Sequence, residues 1–383
     1  MLLKSCVLML GVFLLGGIML NTINATSAEL EAVAGPHFDG EKFHNTTPIE
    51  QPGLKKMLEI SKRYFTEKSV DKAPTKAIPV AAVTSDELAA LSNNDIHVIK
   101  LGHSSVLLKV FGEFWLLDPV FSERASPFRF AGPKRFHQPP IALKDLPAID
   151  KVLISHNHYD HLDKACIKKL ASKTAQFLVP LGVEADLEKW GVAPEKIVRF
   201  DWWQEYQTHQ GVIAFTPTQH FSGRGMSDGN TTLWGSWVIK QQGKSVYFSG
   251  DSGYFDGFAE IGKRYGPFDL ALIETGAYDR DWADVHMTPE QSVQASLDLQ
   301  ANTMIPVHNG TFDLAFHAWY EPLERVVQAA QQHDVNLLTP AFGEKMALAQ
   351  LSNGLAAKQY WWRPLMPAGA VERFAGSEQL VAD

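Results

Sequence analysis

Within one short run, His156, Asn157, His158, Tyr159, Asp160 and His161 bring together three imidazoles and a carboxylate. In this HxHxDH pattern, histidines at i and i+2 on an extended strand end can close on one metal ion. The Asp and His that follow turn toward a second. Neutral imidazole and carboxylate donors suit Zn, Fe or Mn, and no thiolate is present to demand a softer metal. At this chain's His and Asp frequencies the pattern arises by chance with a probability on the order of one in a thousand. A polar loop that merely happens to be His-rich is a poor account of it.

Such a run needs a strand to deliver it, and Lys151, Val152, Leu153 and Ile154 read as a buried strand that ends at Ser155. Other strand ends finish in ligand-type residues too. A strand over 212–217 precedes His220, one over 244–249 precedes Gly250 and Asp251, and one over 303–307 precedes His308. Gly250 and Gly253 allow a tight turn around Asp251. Each of these taken alone reads as a hydrogen-bonded turn residue. Taken in order after HxHxDH, they describe a metal cup built from loops at one edge of a sheet structure.

The remaining pattern surrounds this cup. Strands are expected over 96–100, 104–110 and 114–117, the last two joined by a Phe111-Gly112-Glu113 hairpin and ending at Asp118-Pro119. A long Pro-rich, aromatic and basic loop over 121–140 is of the kind usually tied to function. Helices are expected over 53–65, 85–91, 164–172, 182–190, 289–299 and 321–333. Strands are expected over 176–179, 197–200, 232–239 and 270–274, with a Gln242-Gly243 turn and a closing strand and tail past 349. Two β-rich halves flanked by helices are compatible with a four-layer αββα sandwich.

Composition narrows the function. The chain has 383 residues and a formal net charge of -8, so no basic field exists to neutralise phosphates and nucleic acid is not an expected partner. Residues 1–28 carry Lys4, an apolar run from Cys6 to Leu20 and small residues at Thr26 and Ala28. They read as an export signal or, alternatively, an uncleaved anchor. Removal of the signal leaves Cys166 as the one thiol, which cannot form an internal disulfide. Residues 29–95 read as an N-terminal extension, 96–350 as the domain that carries the metal cup and 351–383 as a C-terminal tail. The location expected is outside the cytoplasm, periplasmic or membrane-associated.

The ligand order HxHxDH, His, Asp, His resembles that of the metallo-β-lactamase fold superfamily of binuclear metal hydrolases. The resemblance extends to the N-acyl phosphatidylethanolamine-hydrolysing phospholipase D family. It rests on Asp118-Pro119-Val120-Phe121-Ser122-Glu123-Arg124-Ala125-Ser126-Pro127, Gly132-Pro133-Lys134-Arg135-Phe136, and the metal run through Asp163. Asp201-Trp202-Trp203, Leu233-Trp234-Gly235-Ser236-Trp237, Gly266-Pro267-Phe268-Asp269-Leu270 and Gly276-Ala277-Tyr278 through His286 carry it further. It spans about 101–343. It implies an α/β, four-layer αββα metallo-β-lactamase-type sandwich and two zinc ions, with Fe or Mn fitting the same donors. His156, His158 and His220 are implied for one ion, Asp160, His161 and His308 for the other, and Asp251 as the bridge. Two metals roughly 3.5–4 Å apart can bring a shared water into the neutral range of pKa and stabilise charge on phosphoryl oxygens.

Asp251 and His286 are the expected catalytic residues. His286 would stabilise the phosphate or protonate the leaving oxygen, and its alternative is a helix flank, because Thr288-Pro289-Glu290 reads as a cap and first turn. Tyr278 and Gln219 are candidates for orienting substrate or ligands, whereas His103 and His137 read as structural or loop residues. After His220 the run Phe221-Ser222-Gly223-Arg224-Gly225 departs from the animal enzymes, so the metal chemistry is better founded than the head group. Phe128, Phe130 and Phe136, interleaved with Arg129, Lys134 and Arg135, could seat an acyl chain beside an anionic phosphate at a membrane-facing lip, or form a packed loop with solvated charges. The expectation is an exported zinc-dependent phosphodiesterase acting on an N-acyl phosphatidylethanolamine-like phospholipid. The alternative is a lactonase or another carboxylic-ester or amide hydrolase of the same superfamily. A binding module with structural metals fits less well, since closed structural zinc sites favour four protein ligands per ion.

Overall fold

A computed structural model describes residue 30 and residues 33–49, 54–67, 70–352, 360–370 and 374. The expected export signal or anchor at 1–28 lies outside the described residues. Among the described residues, thirteen strands form two sheets. The first contains β1 (Ile96–Gly102), β2 (Ser105–Val110), β3 (Glu113–Leu117), β4 (Ile149–Leu153), β5 (Thr174–Pro180), β6 (Ile197–Phe200) and β13 (Lys345–Ala347), in the order β13-β1-β2-β3-β4-β5-β6. The second contains β7 (Glu205–Gln207), β8 (Gly211–Thr216), β9 (Ser236–Gln241), β10 (Lys244–Phe248), β11 (Leu270–Glu274) and β12 (Met304–Val307), in the order β12-β11-β10-β9-β8-β7.

Period-two alternation explains why the two sheets stack. Along β10, Val246 and Phe248 enter a core shared with Leu108, Leu117, Leu153, Phe215 and Trp237 from both sheets. Tyr247, between them, faces the other way, into a second core with Ala271, Ile273 and the helices α5 (Gly257–Tyr265), α6 (Pro289–Asp298) and α7 (Glu321–Gln332). On the outer face of the first sheet, Ile99, Leu107, Leu116 and Val152 pack against α3 (Lys164–Leu170) and α4 (Glu184–Lys189). The result is helix, sheet, sheet, helix, the four-layer α/β sandwich expected. Two further helices, α1 (Leu54–Thr66) and α2 (Ser85–Ala90), precede β1, and α8 (Leu348–Ser352) follows β13.

Strand direction decides where the chemistry collects. β3, β4, β5 and β6 run parallel, and β1 lies antiparallel to β2, which is antiparallel to β3, so β1 shares their direction. In the second sheet β10, β11 and β12 are parallel, and β8 shares their direction through antiparallel β9. The carboxyl ends of β1, β3, β4, β8, β10, β11 and β12 therefore converge on one edge. There the bridge His103↔Asn309 joins the loop after β1 to the loop after β12.

Three local readings differ from expectation. The strand foreseen over 232–239 begins only at Ser236, because the backbone before it is committed elsewhere: Leu233 N donates to Leu181 O and Gly235 N to Ser155 O. A Cβ on Gly235 would lie 2.5 Å from Thr216 O, so only glycine permits that approach. The closing strand sits at Lys345–Ala347, paired with β1, and the residues after it form α8. The short edge strand β7 has too few residues to show a period.

Candidate metal centre

Each donor stands on a strand end. β4 runs into Ser155 and the His156–His161 loop, β8 leads to His220, β10 to Asp251, and β12 to His308. Gly250 takes φ +57, and a Cβ there would lie 2.7 Å from Ser155 Cβ, so glycine lets the Asp251 loop close against the histidine loop. Gly253 serves the same turn differently: a Cβ on it would fall 1.9 Å from Asp284 O.

The loops bring together two clusters that share Asp251. In the first, His156 Nε2 lies 2.9 Å from His158 Nδ1, and His220 Nε2 lies 3.2 Å from the same atom. Asp251 Oδ2 stands 3.8 Å from both His156 Nε2 and His220 Nε2. In the second, Asp251 Oδ2 is 3.1 Å from His161 Nε2 and from His308 Nε2. Asp160 Oδ2 closes this cluster at 3.6 Å from His161 Nε2 and 3.3 Å from His308 Nε2. The donor atoms of His156, His158, His220 and Asp251 all lie within 4.8 Å of one another, as do those of His103, Asp160, His161 and His308.

Contacts behind the rings fix which nitrogen faces inward. His156 Nδ1 meets Ser155 Oγ at 2.9 Å, and His220 Nδ1 meets the Val285 carbonyl at 3.0 Å. A carbonyl only accepts, so His220 carries its proton on Nδ1 and turns a bare Nε2 lone pair inward. Ser155 Oγ donates to Asp118 Oδ2 at 2.5 Å, so its lone pair accepts from His156 and leaves that Nε2 bare as well. His158 Nδ1 can donate to at most one of these two lone pairs, whereas a cation among the three nitrogens would satisfy all of them. Burial, reinforced by neighbouring imidazoles, drives His156 well below the usual histidine range, as burial does His220. Burial also takes His158 to about 4, so all three are neutral donors at pH 7.

The second cluster calls for positive charge in another way. Burial opposes protonation of His308, but Asp251 and Asp160 outweigh it and push the ring up to about 10. His161 is raised by the same two carboxylates against burial, with Asp118 Oδ2 at 2.7 Å from its Nδ1. His161 Nε2 and Asp251 Oδ1 are buried without a hydrogen-bond partner. Buried polar atoms are rarely left so. Their types, N and carboxylate O with no thiolate, fit a pair of hard-to-borderline divalent cations.

His286 reaches the same cup. Its Nδ1 is paired with Glu274, a fully buried carboxylate that also accepts from Ser252 N at 2.7 Å, and its ring centroid lies 5.3 Å from that of His308. The expected cap is present as well: Thr288 and Gln291 form a capping box on α6, two residues after His286. The helix-flank reading is met by this cap, and the position of His286 beside Asp251 and His308 is compatible with it. Tyr278 and Gln219 make polar contacts within the protein. The Tyr278 hydroxyl donates to Glu321 Oε1 at 2.6 Å, and Gln219 Nε2 donates to Asp284 O at 2.8 Å. These contacts hold α7 and the loop before His286.

His103 and His137 separate. His137 is buried against Phe342 with ring centroids 3.9 Å apart and belongs to none of the donor clusters. His103, read as a loop residue, sits in the cup with Nε2 3.0 Å from Asp160 Oδ2. Asp118 and Glu274 were not singled out as site residues, although each ends a strand just as the donors do. Ser155, Asn157 and Arg224 support the histidine loop through contacts between residues far apart in sequence, for which no local pattern exists. Arg224 Nη1 donates to Asn157 O at 2.6 Å and Leu162 O at 2.8 Å, and Gly223 N donates to Asn157 Oδ1 at 2.8 Å.

Comparison with known proteins identifies the family. Residues 115–309 match the β-lactamase superfamily domain. The chain belongs to the metallo-β-lactamase superfamily. It is 39% identical over 348 residues to an uncharacterised protein of Mycobacterium tuberculosis, covering 89% of this chain and 91% of that one. It is 31% identical over 335 residues to the N-acyl-phosphatidylethanolamine-hydrolyzing phospholipase D 1 of Caenorhabditis elegans, covering 81% of this chain and 94% of the relative. Among solved structures, a metallo hydrolase from the archaeon Ignicoccus hospitalis superposes with a TM-score of 0.51 at 22% identity, over 66% of this chain and 98% of that one. This member of the superfamily is a metal-dependent hydrolase with His/Asp clusters suited to divalent ions. No helix among the described residues is long and apolar enough to cross a membrane.

Proposed function

We propose that this hydrolase cleaves a phosphodiester in an N-acyl phosphatidylethanolamine-like phospholipid, releasing a phosphatidic acid-like product and the alcohol of the head group. The observation that carries the chemistry is the pair of donor clusters meeting at one carboxylate, Asp251. The likeness to the nematode phospholipase D supplies the substrate class. In this reading His156, His158 and His220 hold one zinc, Asp160, His161 and His308 hold the other, and Asp251 spans both. When bound, such a pair activates water at neutral pH and offsets charge on phosphoryl oxygens.

The chain's own residues do the rest. Asp118 and Ser155 hold His161 and His156 in the tautomers that face inward, and Val285 does so for His220. Water adds to phosphorus, the bond from phosphorus to the head-group oxygen breaks, and a proton must reach that oxygen. His286 stands beside Asp251 and His308 with Glu274 behind it, which suits it to deliver that proton or to hold a phosphoryl oxygen. Phe130 is 71% exposed with Phe128 against it, and Met226 is 61% exposed on the loop after His220. Apolar side chains displayed this way support a peripheral contact with a lipid surface. Arg135 of the same loop is buried instead, with its guanidinium over Phe312. We place the protein outside the cytoplasm on the strength of its first 28 residues.

The test is hydrolysis of N-acyl phosphatidylethanolamine in mixed micelles. Wild type, a chelator-stripped sample, the stripped sample with zinc restored, and Asp251→Asn are compared, with a simple lactone as a second substrate. Release of phosphatidic acid that is lost on stripping, recovered with zinc and absent in the variant supports the reading. Two bound metals with lactone turnover and no lipid turnover would refute the phosphodiesterase and leave the superfamily chemistry standing.

A further inference from the structure

His220 lies in a stretch without regular secondary structure, between β8 and β9, where backbone N–H and C=O groups have no ladder to join. Buried backbone groups must find partners. For His220 both come from a single side chain 175 positions earlier: Asn45 Nδ2 donates to His220 O at 2.8 Å, and His220 N donates to Asn45 Oδ1 at 3.0 Å. A carboxamide has the donor and acceptor of a peptide group, so Asn45 occupies the place of a neighbouring strand. Its Oδ1 also accepts from Trp234 Nε1 at 3.1 Å, and Trp234 is fully buried.

The segment that presents Asn45 is anchored on both sides of a turn. His37 pairs with Asp201 at 2.7 Å and stacks on Trp202 with centroids 4.3 Å apart, while Gly35 N donates to the other Asp201 oxygen at 2.7 Å. Phe43 is fully buried in the core between the sheets, and its N–H donates to Asn230 O at 2.8 Å. Asn230 in turn caps Ser222, and Gly223 beside it grips Asn157 in the histidine loop. The residues ahead of β1 thus reach the His156/His158/His220 cluster from its outer side.

We propose that Asn45 is a positioning residue of the metal centre: it sets the backbone of His220 from both sides while Val285 fixes the ring, so that Nε2 faces His156, His158 and Asp251. Residues 35–45 are by this inference part of the site rather than a leader to it. The inference rests on His220 being a metal ligand. Removing an outer contact to a metal-binding histidine typically costs about 10–100-fold in metal affinity.

The experiment uses the full chain as wild type, Asn45→Ala and Asn45→Asp, titrated with Zn2+ against a chromophoric chelator. Melting is followed with and without Zn2+, and the visible spectrum is recorded with Co2+ in place of zinc. The expected result is that one of two zinc equivalents weakens by about 10–100-fold in Asn45→Ala, the cobalt bands change, and the rise in melting temperature on adding zinc shrinks. Asn45→Asp keeps the acceptor for His220 N and Trp234 but turns an oxygen on the His220 carbonyl. It therefore shows the same loss, and it serves if the alanine variant does not fold. Zinc affinities within about twofold of wild type and an unchanged cobalt spectrum, beside a lower melting temperature without metal, would mark Asn45 as a packing residue and overturn the proposal. Wild type that binds no zinc would overturn the ligand reading and this inference together. Wild type with two zincs and unaltered variants would overturn this inference alone.

Discussion

Asp118→Asn changes one atom and tests the logic of the whole centre. Asp118 is fully buried, and its two oxygens have three donors: Oδ1 accepts from Ser155 N at 2.7 Å, and Oδ2 accepts from Ser155 Oγ at 2.5 Å and His161 Nδ1 at 2.7 Å. Through Ser155 it also governs His156, so one carboxylate orients a donor in each cluster. An asparagine has only one oxygen. If its nitrogen faces Ser155 N, two N–H groups confront each other. If it faces His161, the ring must accept at Nδ1 and carry its proton on Nε2, the atom that should bind metal. The first strands a buried N–H against Ser155 N and loosens the turn that carries His156, and the second disables His161 as a donor, in both cases without changing side-chain volume. Loss of such an outer contact costs about 10–100-fold in metal affinity, or roughly 1.4–2.7 kcal/mol. Under saturating zinc that difference is also lost from the stability that binding confers. The assay is zinc competition against a chelator at pH 7, with denaturant unfolding run in zinc and in chelator. The expected pattern is weaker zinc binding and a smaller zinc-dependent gain in unfolding free energy. Zinc affinity within about twofold of wild type would show that Asp118 does not set the tautomers, and the reasoning would fail.

Two further predictions concern parts of the molecule with other duties. Burial lowers His137 to about 3, with Gln138 O accepting from its Nδ1 and Thr311 Oγ1 3.0 Å from its Nε2. Unfolded, the ring titrates near 6.5. Below that pH the unfolded chain binds a proton that the folded chain refuses, so this share of stability is present above about 6.5 and declines as pH falls toward the folded value. By about pH 5 the loss is about 2 kcal/mol, and chemical unfolding of His137→Gln should show an acid decline shallower than wild type by that amount. An equal decline would contradict the assignment. Arg224→Met should lower unfolding free energy by about 2 kcal/mol, because it strands the carbonyls of Asn157 and Leu162 and removes a guanidinium 4.0 Å from the Tyr159 ring centroid. Arg224→Lys should not restore it, since an ammonium cannot hold two carbonyls and stack at once; full recovery of stability in the lysine variant would count against this role.

What could be read before the fold was known follows from how local each signal is. The histidine run, the strand before it and the strand-end positions of His220, Asp251 and His308 are local, and period-two alternation marks Val246 and Phe248 apart from Tyr247. The same strand-end reasoning applies to Asp118 and Glu274, but a lone carboxylate after a strand carries no pattern to lift it above an ordinary turn residue. Asn45 and Arg224 act across 175 and 67 positions, where periodicity says nothing. Tyr278 and Gln219 illustrate the converse. Sequence placed them near the site, yet their polar groups hold Glu321 and the Asp284 carbonyl, contacts visible only once α7 and the 276–287 loop are folded against each other.

Backbone conformation explains why the cup forms at the strand ends. His103, Asp118, Ala277 and His308 take φ values of +49, +39, +58 and +62, each just past the carboxyl end of β1, β3, β11 and β12. For residues other than glycine, a left-handed conformation costs on the order of 1–2 kcal/mol each, and it persists only where the surroundings over-determine it. Here they do: His103 N donates to Thr311 Oγ1, Asp118 N to Leu153 O, and His308 N to His103 O. An extended strand would continue to throw successive side chains to opposite faces. Breaking it with one left-handed residue reverses that course and turns Asp118 behind the donors while His103 and His308 close on Asp160. The sheets bring the strand ends to one edge, and after β1, β3 and β12 it is the left-handed residue that aims a side chain. The stability that the strain costs is therefore tied to the geometry of the donor clusters.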